Sequence, residues 1–516
     1  MDPLALTEFL ARVNQGFSVV PLHTTMQLDR ETPVSLYDRL GKRAIFLLES
    51  AALGETTGRY SFIGLDRRWR LTTRGPTTLV TGSENFESER PPLVELRSLL
   101  ARYSTYVSNE LPDLIGGAVG FVSYDYVRRL ERLPGRAAEA TWPDVDFSFP
   151  DALLVCDHVR HSTTVVVLAV LDGHSPSEVY RDARQRLDEL VATLLAPSPA
   201  RDPATEFVVA TALQRRSTID VRHLARELSN FRVDEYEKVV DLANAHIVAG
   251  DIFQVVPSQQ FQRSSNVNPL TLYRVLRALN PSPYMYLIDA GEHQLVGASP
   301  EMLMRVHDGV VSTRPIAGTR PRGTTEAEDR ILEAEMVVDP KEIAEHVMLV
   351  DLGRNDVGRV ATPGTVRVER LAHVERFSHL MHLVSHVDGA LAEGLDAFDA
   401  FDALFPAGTL TGAPKVRAME LIDEFEPVYR GPYGGAVGYF SLSGNADFAI
   451  TIRTVSLRAG VATVQAGGGV VADSRGATEF EECLNKASAP LLALEIADPD
   501  ARATNPSPTI SPTEAG

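Results

Sequence analysis

Four glutamates stand at spacings that could hold a metal ion. Glu342 and Glu345 lie three residues apart, and Glu479 and Glu482 repeat that spacing near the other end of the chain. Residues three apart share one face of a helix, so each pair places two like charges side by side at a cost in free energy. A hard divalent cation with oxygen ligands would remove that cost. The alternative is two solvated helix faces with Glu342 only capping its helix, and the spacing alone favours this alternative.

Helices must carry these pairs, and local signals predict the first of them directly. Asp339 suits the N-cap, and Pro340 suits the first helical position, where a missing N–H costs nothing. Ile343, Val347 and Val350 recur at helical spacing and predict an apolar face. The glutamates would therefore project from one stripe beside that face.

Histidines at 379, 382 and 386 are a second group that could do chemistry. On a strand, His382 and His386 would share a face, whereas a helix would bring all three together with His379. A zinc site is conceivable, but the stretch has no accompanying cysteine or H-E-x-x-H pattern. The alternative for His382 is a hydrogen-bonded core histidine.

Several polar and glycine-rich positions suggest anion binding. Arg453 offers a planar fork that suits a carboxylate, although an ordinary arginine at a strand edge is as good an interpretation. Residues 467–469 are three glycines after a strand, where bare N–H groups could hold a carboxylate. Residues 407–415 only superficially resemble a phosphate loop, since the spacing is wrong and Pro414 lacks an N–H donor.

Composition indicates a soluble globular protein of two to four domains, or one large domain with an appendage. The 516 residues are 44% hydrophobic and 23% charged, and the net charge of −19 argues against nucleic acid or an anionic membrane as the main partner. Two cysteines, Cys156 and Cys483, imply no disulfide framework. The acidic start and the short apolar runs predict neither a signal peptide nor a membrane span, so we expect a cytoplasmic protein.

Composition along the chain predicts four segments. Residues 1–195 form an N-terminal α/β part, 196–218 a Pro- and Ala-rich linker, 219–495 a second part, and 496–516 a disordered tail. Strand–hairpin patterns over 284–316 and 434–470 predict antiparallel sheets packed face to face with helices outside, an α/β (α+β) fold. We expect the N-terminal part to pack against the second part.

Four long segments together resemble the chorismate-utilising enzymes, and their anthranilate-forming members in particular. The segments are 315–320, 339–356, 408–415 and 479–486. The resemblance covers nearly the whole chain, with 219–495 as the catalytic part and the two-sheet fold of that family. With this resemblance, a metal site becomes the favoured interpretation of the four glutamates, in place of two solvated helix faces.

The resemblance implies a magnesium site and a chorismate site. Glu345 and Glu482 would ligate Mg²⁺, with Glu342 and Glu479 supporting them. His382 would serve the elimination step, Thr409 would lie near the leaving hydroxyl, and Lys486 would lie one turn past Glu482 on the same face. The remaining chorismate contacts implied by the resemblance are Gly318, Thr319, Tyr433, Arg453, Gly467, Gly468 and Gly469.

The implied reaction is a lyase reaction that opens tryptophan biosynthesis. Ammonia adds at ring C2 of chorismate as the C4 hydroxyl leaves, and the product loses pyruvate and aromatises to anthranilate. Mg²⁺ would act as template and Lewis acid. Acid–base groups are needed for the leaving hydroxyl and for the later loss of a proton.

Two sequence differences distinguish this chain from related chorismate-utilising enzymes. Isochorismate and salicylate synthases activate water with a lysine where this chain has the neutral stretch 253–256, and an amide cannot be a base. Aminodeoxychorismate synthases carry a nucleophilic lysine where this chain has Ala317. Both differences favour free ammonia as nucleophile. One alternative is an aminodeoxychorismate synthase component. Another is an inactive ligand-sensing relative, which the loss of a metal-site glutamate would favour.

The chain has no obvious means of making ammonia. Cys156 follows an apolar run and Cys483 follows a proposed metal ligand, so neither stands in a glycine-flanked nucleophile turn. The resemblance therefore implies a hetero-oligomer with a glutamine amidotransferase subunit that supplies ammonia.

The family is commonly inhibited by tryptophan, and two segments match that function. Glu49 and Ser50 end an early apolar run, and Glu49 could take the ammonium group. The alternative is a structural turn at 280–283 beside a core strand. The other residues implied for the inhibitor are Pro283, Tyr284, Met285, Val437, Gly438 and Tyr439.

Overall fold

Helices and strands alternate along most of the chain. The structure, a computed structural model, describes residues 4–50, 58–108, 110–134, 140–197, 200–323, 325–376 and 380–498, with only the backbone described at 319, 341 and 380. The α-helices within these ranges are α1 (Leu6–Asn14), α2 (Pro33–Leu40), α3 (Pro92–Leu100), α4 (Pro176–Leu195), α5 (Pro203–Ala210), α6 (Ala212–Arg215), α7 (Val221–Leu228), α8 (Val233–Ala249), α9 (Pro269–Leu279), α10 (Glu326–Met336), α11 (Pro340–Gly358), α12 (Ala397–Leu404), α13 (Lys415–Phe425) and α14 (Gly476–Ala497).

The strands are numerous and mostly short. They are β1 (Val19–Met26), β2 (Ala44–Glu49), β3 (Tyr60–Arg74), β4 (Thr77–Gly82), β5 (Phe86–Ser88), β6 (Gly117–Val122), β7 (Val145–Asp157), β8 (Ser162–Val170), β9 (Gln254–Val255), β10 (Ser258–Ser264), β11 (Tyr284–Asp289), β12 (His293–Ser299), β13 (Met302–His307), β14 (Val310–Thr313), β15 (Ile316–Pro321), β16 (Arg367–Arg376), β17 (Leu380–Ala390), β18 (Gly412–Ala413), β19 (Ala436–Ser441), β20 (Ala446–Ile450), β21 (Thr454–Arg458) and β22 (Val461–Gly467).

The two longest strands, β3 and β7, pair with each other and divide the sheet into two branches. The first branch runs β1-β8-β7-β3-β2-β11-β12-β21-β22-β10 and uses the first half of β3 and the second half of β7. The second branch uses the other halves and runs β5-β4-β3-β7-β6-β19-β20-β13-β14-β17, with β15 and β16 also on β17. The ladders between these strands are antiparallel.

One hydrophobic cluster lies between the two branches. Phe46 and Leu295 enter it from the first branch, and Phe147 and Phe440 enter it from the second. Successive residues of a strand point to opposite faces, so Leu47 belongs instead to a second cluster. The predicted face-to-face packing of antiparallel sheets is therefore confirmed.

Helices cover the outer face of the first branch. The second cluster joins Leu47 and Val464 of that branch to Tyr236 of α8, Leu276 of α9 and Phe480 of α14, and all five are fully or almost fully buried. α14 is thus fixed on the sheet along its apolar side, which leaves Glu479 and Glu482 on a defined neighbouring face.

The N-terminal part is hydrogen-bonded into the same sheet as the rest of the chain. β2 pairs with β11, and β6 pairs with β19 with Gly120 opposite Gly438. A Cβ on Gly120 would lie 1.9 Å from the Asp146 carbonyl oxygen, and one on Gly438 would lie 2.0 Å from that of Asp447. The similar glycine stretches at 116–121 and 434–439 therefore reflect adjacent, closely packed strands.

Two parts of the predicted organisation differ from the structure. The strands over 284–316 do not form a simple meander, because β12 pairs with β21 in one branch whereas β13 pairs with β20 in the other. Residues 196–218, predicted as a linker, carry α5 and α6, which pack against α9 and α14. There Arg274 and Glu206 form an ion pair at 2.8 Å. Of the predicted tail, residues 499–516 lie outside the described ranges.

Candidate active site

The first glutamate pair is held at the start of α11. Asp339 Oδ1 accepts a hydrogen bond from the Glu342 N–H at 3.4 Å, as an N-cap should. Glu342 Oε1 accepts from Arg320 Nη1 of β15 at 2.7 Å. A Cβ on Gly318 would lie 3.0 Å from Glu342 Oε2. The φ of Gly318 is +60°, a backbone conformation that suits glycine. Glu345 is half-buried one turn further on.

The second pair stands at the start of α14, beside the predicted glycines. Glu479 is buried, with 7% of its surface exposed, and Glu482 is half-buried. A Cβ on Gly468 would lie 2.9 Å from Glu479 Oε2 and 3.7 Å from Glu482 Oε1, so bare backbone borders both carboxylates. Lys486 Nζ lies 2.7 Å from Glu482 Oε1 and donates to the Gly467 carbonyl at 3.0 Å.

His382, on β17, links the first pair to the centre of the site. Its backbone pairs with Thr319, of which only the backbone is described, and its Nδ1–H donates to the Gly318 carbonyl at 3.2 Å. Burial lowers the pKa of His382, and the nearby charge of Arg453 adds to this effect. His382 is therefore a neutral imidazole at pH 7, with the lone pair on Nε2.

Arg453 lies in the turn between β20 and β21. Its φ is +51°, a backbone conformation that is rare outside glycine and is found at strained functional positions. Tyr433 lies beside the glycine turn, because a Cβ on Gly467 would come within 2.9 Å of the Tyr433 Oη. Arg430 sits 5.5 Å above the Tyr433 ring and holds it in place. Arg453 acts electrostatically on His382 and is acted on by Tyr433, so these three side chains lie near one another.

A fifth glutamate, Glu301, was missed by the sequence interpretation. It lies between β12 and β13, and Thr409 Oγ1 donates to its Oε1 at 2.8 Å. Burial raises the pKa of Glu301 to about 7, although the hydroxyl of Thr409 and the charge of Lys486 act in the opposite direction. Both residues line a small pocket next to α11. The only sequence signal is a polar residue at a strand end, which is too common to single out.

The 408–415 segment forms a wall of the site and does not form a phosphate loop. β18 pairs with β9, and a Cβ on Gly412 would lie 2.1 Å from the Gln254 carbonyl oxygen. Lys415 Nζ lies 2.8 Å from Asp356 Oδ2 and so joins this segment to α11. The Gln254 side chain is buried, and a Cβ on Gly469 would lie 2.7 Å from its Nε2.

The residues assigned to the inhibitor lie on paired strands of the sheet. β2 pairs with β11 so that Glu49 is opposite Met285, and Ser50 and Pro283 are half-buried at the ends of these strands. Glu49 accepts hydrogen bonds from the Tyr273 hydroxyl and from Arg277 Nε. Residues 51–57, which follow Ser50, lie outside the described ranges.

A buried acid joins this group to β19, which also carries Val437 and Gly438. The Tyr284 hydroxyl donates to Asp447 Oδ1 at 3.1 Å, and Asp447 is paired with Tyr439 across the ladder. Burial raises the pKa of Asp447 to about 6 and raises the pKa of both tyrosines. Met285 beside Glu49 packs in the outer hydrophobic cluster, whereas Tyr284, Val437 and Tyr439 pack in the cluster between the two branches.

The histidine stretch forms strand β17, so His382 and His386 share a face, as the strand alternative predicts. His379 lies outside the described residues. Both cysteines are buried and unpaired, and burial raises the pKa of each thiol to about 12. A thiol with that pKa is a poor nucleophile. Among the described residues, no helix is both long and apolar enough to cross a bilayer.

Known proteins resemble this chain over most of its length. A family profile described as chorismate binding enzyme matches residues 45–492. Anthranilate synthase component 1 of Mycobacterium tuberculosis is 48% identical over 503 residues, which is 93% of each chain. The protein of the same name from Acetivibrio thermocellus is 43% identical over 94% of this chain and 97% of its own.

Solved structures agree with these relatives. Anthranilate synthase component I of Streptococcus pneumoniae is 35% identical, with a TM-score of 0.72 over 90% of this chain and 98% of that chain. The menaquinone-specific isochorismate synthase of Escherichia coli shares the fold at 20% identity and a TM-score of 0.65, over 95% of this chain and 99% of that chain. The chain therefore belongs to the family of chorismate-binding enzymes, together with the anthranilate synthase component I proteins.

Proposed function

We propose that this chain converts chorismate and ammonia to anthranilate and pyruvate, the first step of tryptophan biosynthesis. One observation carries the proposal. Glu342 borders Gly318, whose carbonyl binds His382, and the second glutamate pair borders Gly468, next to the turn that Tyr433 approaches. Arg453 acts electrostatically on His382 and is acted on by Tyr433, so it lies between these two parts. The similarity to anthranilate synthase component I proteins over most of the chain supports the same conclusion.

The donor set fits Mg²⁺. It consists of carboxylate oxygens, the ligands that hard cations prefer, and Gly468 leaves the space beside Glu479 and Glu482 free of side chains. Glu345 and Glu482 would hold the ion, with Glu342 and Glu479 supporting them. Arg320 and Lys486 already offset one charge in each pair. When bound, Mg²⁺ would supply a template and a Lewis acid for the ring carboxylate.

Arg453 and the glycine turn are suited to chorismate itself. A guanidinium binds a carboxylate through two parallel hydrogen bonds, and the backbone N–H groups of 467–469 can add further donors. Tyr433 is held beside Gly467 by Arg430, so its hydroxyl is fixed relative to that turn. A rigid binding site of this kind orients the ring carbon that ammonia attacks.

Glu301 is the side chain best suited to protonate the leaving C4 hydroxyl. Its raised pKa keeps a large fraction of the carboxyl protonated near pH 7. Thr409 occupies one carboxyl oxygen and leaves the other to donate the proton. Because Ala317 cannot be a nucleophile and Gln254 cannot be a base, free ammonia would form the new C–N bond.

Neutral His382 is suited to the second half of the reaction. Its Nδ1–H is committed to the Gly318 carbonyl, so Nε2 is the basic atom. Loss of the C2 proton and cleavage of the bond to the enolpyruvyl oxygen release pyruvate and leave the aromatic ring. His382 Nε2 would accept that proton.

Ammonia would come from a glutamine amidotransferase subunit. Neither buried cysteine can hydrolyse glutamine, and the relatives are named as component 1 of a larger enzyme. The isolated chain should form anthranilate, seen by its fluorescence, from chorismate, Mg²⁺ and ammonium at raised pH, and should form none from glutamine. Adding the amidotransferase should restore glutamine use. Absence of anthranilate under every condition would contradict the proposed function, and glutamine use by the isolated chain would contradict the proposed partner.

Tryptophan would act as a feedback inhibitor at the region around Glu49 and Met285. Its ammonium group would have to share the Glu49 carboxylate with Tyr273 and Arg277, while Tyr284 and Met285 enclose the indole. Calorimetry should detect binding to the wild type and weaker binding to Ser50→Phe, with inhibition reduced in parallel. The exposed Ser83→Phe is the control and should behave as wild type. No tryptophan binding to the wild type, or unchanged inhibition in Ser50→Phe, would contradict this assignment.

A further inference from the structure

Two histidines and a glutamate from neighbouring strands meet beside the candidate active site. Glu375 and His373 belong to β16, and His386 belongs to β17. Glu375 Oε1 lies 3.1 Å from His373 Nε2 and 3.9 Å from His386 Nε2, and the three ligand atoms all lie within 4.8 Å of one another. None of the three belongs to the chorismate or magnesium residues proposed above.

The register of the two strands explains why these side chains meet. Glu375 is opposite His382 and His373 is opposite Val384, so all of them face the same side as His386. Two additional residues bulge from β16 between Glu369 and His373. The bulge contains Arg370 and Ala372, both at positive φ, and bulges of this kind redirect side chains next to functional sites.

Two imidazole nitrogens face one carboxylate, and hydrogen bonding fixes the tautomer of one of the rings. His373 Nδ1 lies 2.9 Å from the Arg370 carbonyl oxygen, which can only accept, so the proton is on Nδ1. In a neutral ring, Nε2 is then an acceptor that faces another acceptor, Glu375 Oε1, at 3.1 Å. His386 Nε2 is buried and lies 3.9 Å from the same carboxylate oxygen. A cation between these groups, either a proton on His373 Nε2 or a metal ion, turns the repulsion between that nitrogen and the carboxylate into attraction.

Arg314 supplies only part of that charge. It donates to Glu375 Oε1 and so balances the carboxylate, but it cannot satisfy the imidazole nitrogens on the other side. A metal cation can contact both nitrogens and the carboxylate at once, with Arg314 remaining on Glu375.

We propose that His373, Glu375 and His386 form a binding site for a divalent transition-metal cation of the Zn²⁺ type, separate from the magnesium site. Two imidazoles and one carboxylate are a common zinc ligand set, with a fourth position open to water, whereas Mg²⁺ prefers oxygen ligands alone. The contact from His373 Nδ1 to a backbone carbonyl is the outer hydrogen bond that metal-binding histidines usually make. Because Glu375 is paired with His382, the site would lie one ladder pair from the active site.

The proposal is tested by titrating the full chain with Zn²⁺ in a calorimeter while Mg²⁺ is kept at saturation. Saturating Mg²⁺ keeps the carboxylate site occupied. The wild type should bind one Zn²⁺ per chain, and His373→Ala and His386→Ala should each weaken that binding by about tenfold or more. Co²⁺ should give the visible absorption of a nitrogen-ligated, low-coordinate ion in the wild type but not in either variant.

Two controls separate this site from other sources of metal binding. His246→Ala removes a histidine of α8 that pairs with Asp251 and is not among the three proposed ligands, and it should bind Zn²⁺ as the wild type does. Glu345→Gln alters the proposed magnesium site and should lose activity while keeping Zn²⁺ affinity, so failure of one proposal is distinguishable from failure of the other.

Folding of the variants is checked by thermal unfolding. Zn²⁺ should raise the unfolding temperature of the wild type and leave that of His373→Gln and His386→Gln unchanged, since only a ligand bound to the native state stabilises it. Absence of Zn²⁺ binding by the wild type would overturn the proposal. Binding of undiminished affinity in both folded histidine variants would overturn it as well.

Discussion

The candidate active site and the region around Glu49 both contain buried acids, but the acids of the two regions have different partners. In the active site, one positive side chain stands beside each glutamate pair, Arg320 on one and Lys486 on the other, and bare glycine backbone borders the carboxylates. In the second region, Glu49 is bound by a guanidinium and a hydroxyl together.

This difference indicates what each region is suited to bind. Two carboxylates with one cationic side chain retain negative charge, which attracts a divalent ion. A carboxylate already neutralised by Arg277 retains little net charge and suits a ligand that is itself neutral overall, such as an amino acid. The predictions below test this comparison, beginning with the largest expected effect.

Removal of one charge from the magnesium residues should have the largest effect. Glu345→Gln or Glu482→Gln should abolish Mg²⁺-dependent anthranilate formation and leave the fold intact, because the cation loses a charged ligand. Steady-state rates across a Mg²⁺ titration measure this. Glu481→Gln, a neighbour of Glu482 that pairs with Arg226, is the matched control and should keep its activity. Near-normal rates in both ligand variants at ordinary Mg²⁺ would refute the metal assignment.

Glu301→Gln should lower kcat by about 10²- to 10⁴-fold, the usual loss when a general acid is removed. The amide keeps the shape and the hydrogen bond from Thr409 but cannot give up a proton. The exposed Glu292→Gln serves as the control. A kcat within a few-fold of wild type would show that another group protonates the leaving hydroxyl.

Tyr284→Phe should weaken tryptophan inhibition several-fold, since it removes one hydrogen bond to Asp447 worth about 1 kcal/mol. The uninhibited rate should stay the same, because Tyr284 lies outside the chorismate site. The ratio of inhibition constants for variant and wild type is the measurement. A reduced uninhibited rate with unchanged inhibition would place Tyr284 in the catalytic machinery instead.

The smallest effect concerns the pH dependence of stability. The folded pKa of Glu301, about 7, is above its ordinary value of 4.5, so its contribution to the free energy of unfolding is fully present below pH 4.5 and is lost as the pH rises through 7. Glu301→Gln should remove that slope, so its stability relative to wild type should improve between pH 5 and pH 8. Parallel urea unfolding curves of the two proteins at several pH values measure the slope. Identical slopes would show that the carboxyl does not titrate in this range.

The helical half of the active site was largely predictable from sequence. The three-residue spacing of Glu342 and Glu345 fixes a shared helix face without reference to the rest of the fold. Asp339 and Pro340 mark the helix start by local chemistry alone. The family resemblance then joined this helix to the second pair at 479 and 482, a step that local spacing cannot make.

Features that depend on pairing between distant strands were less predictable. The role of Glu301 arises from burial beside Thr409, and burial depends on the whole fold. His373 and His386 meet because of a bulge in β16, which shifts the register in a way that alternation does not reveal. Arg453 lies in a turn between two strands, and the local sequence does not mark where that turn falls.

The identity and stoichiometry of the products test the central claim most directly. The chain, supplied with chorismate, Mg²⁺ and ammonium, should yield one pyruvate for each anthranilate. Pyruvate is measured by its coupled reduction and anthranilate by its fluorescence, both on the same sample. That result requires both addition of ammonia and elimination within one site. An aminated product that keeps its enolpyruvyl group, with no pyruvate released, would contradict the account and favour an aminodeoxychorismate synthase instead.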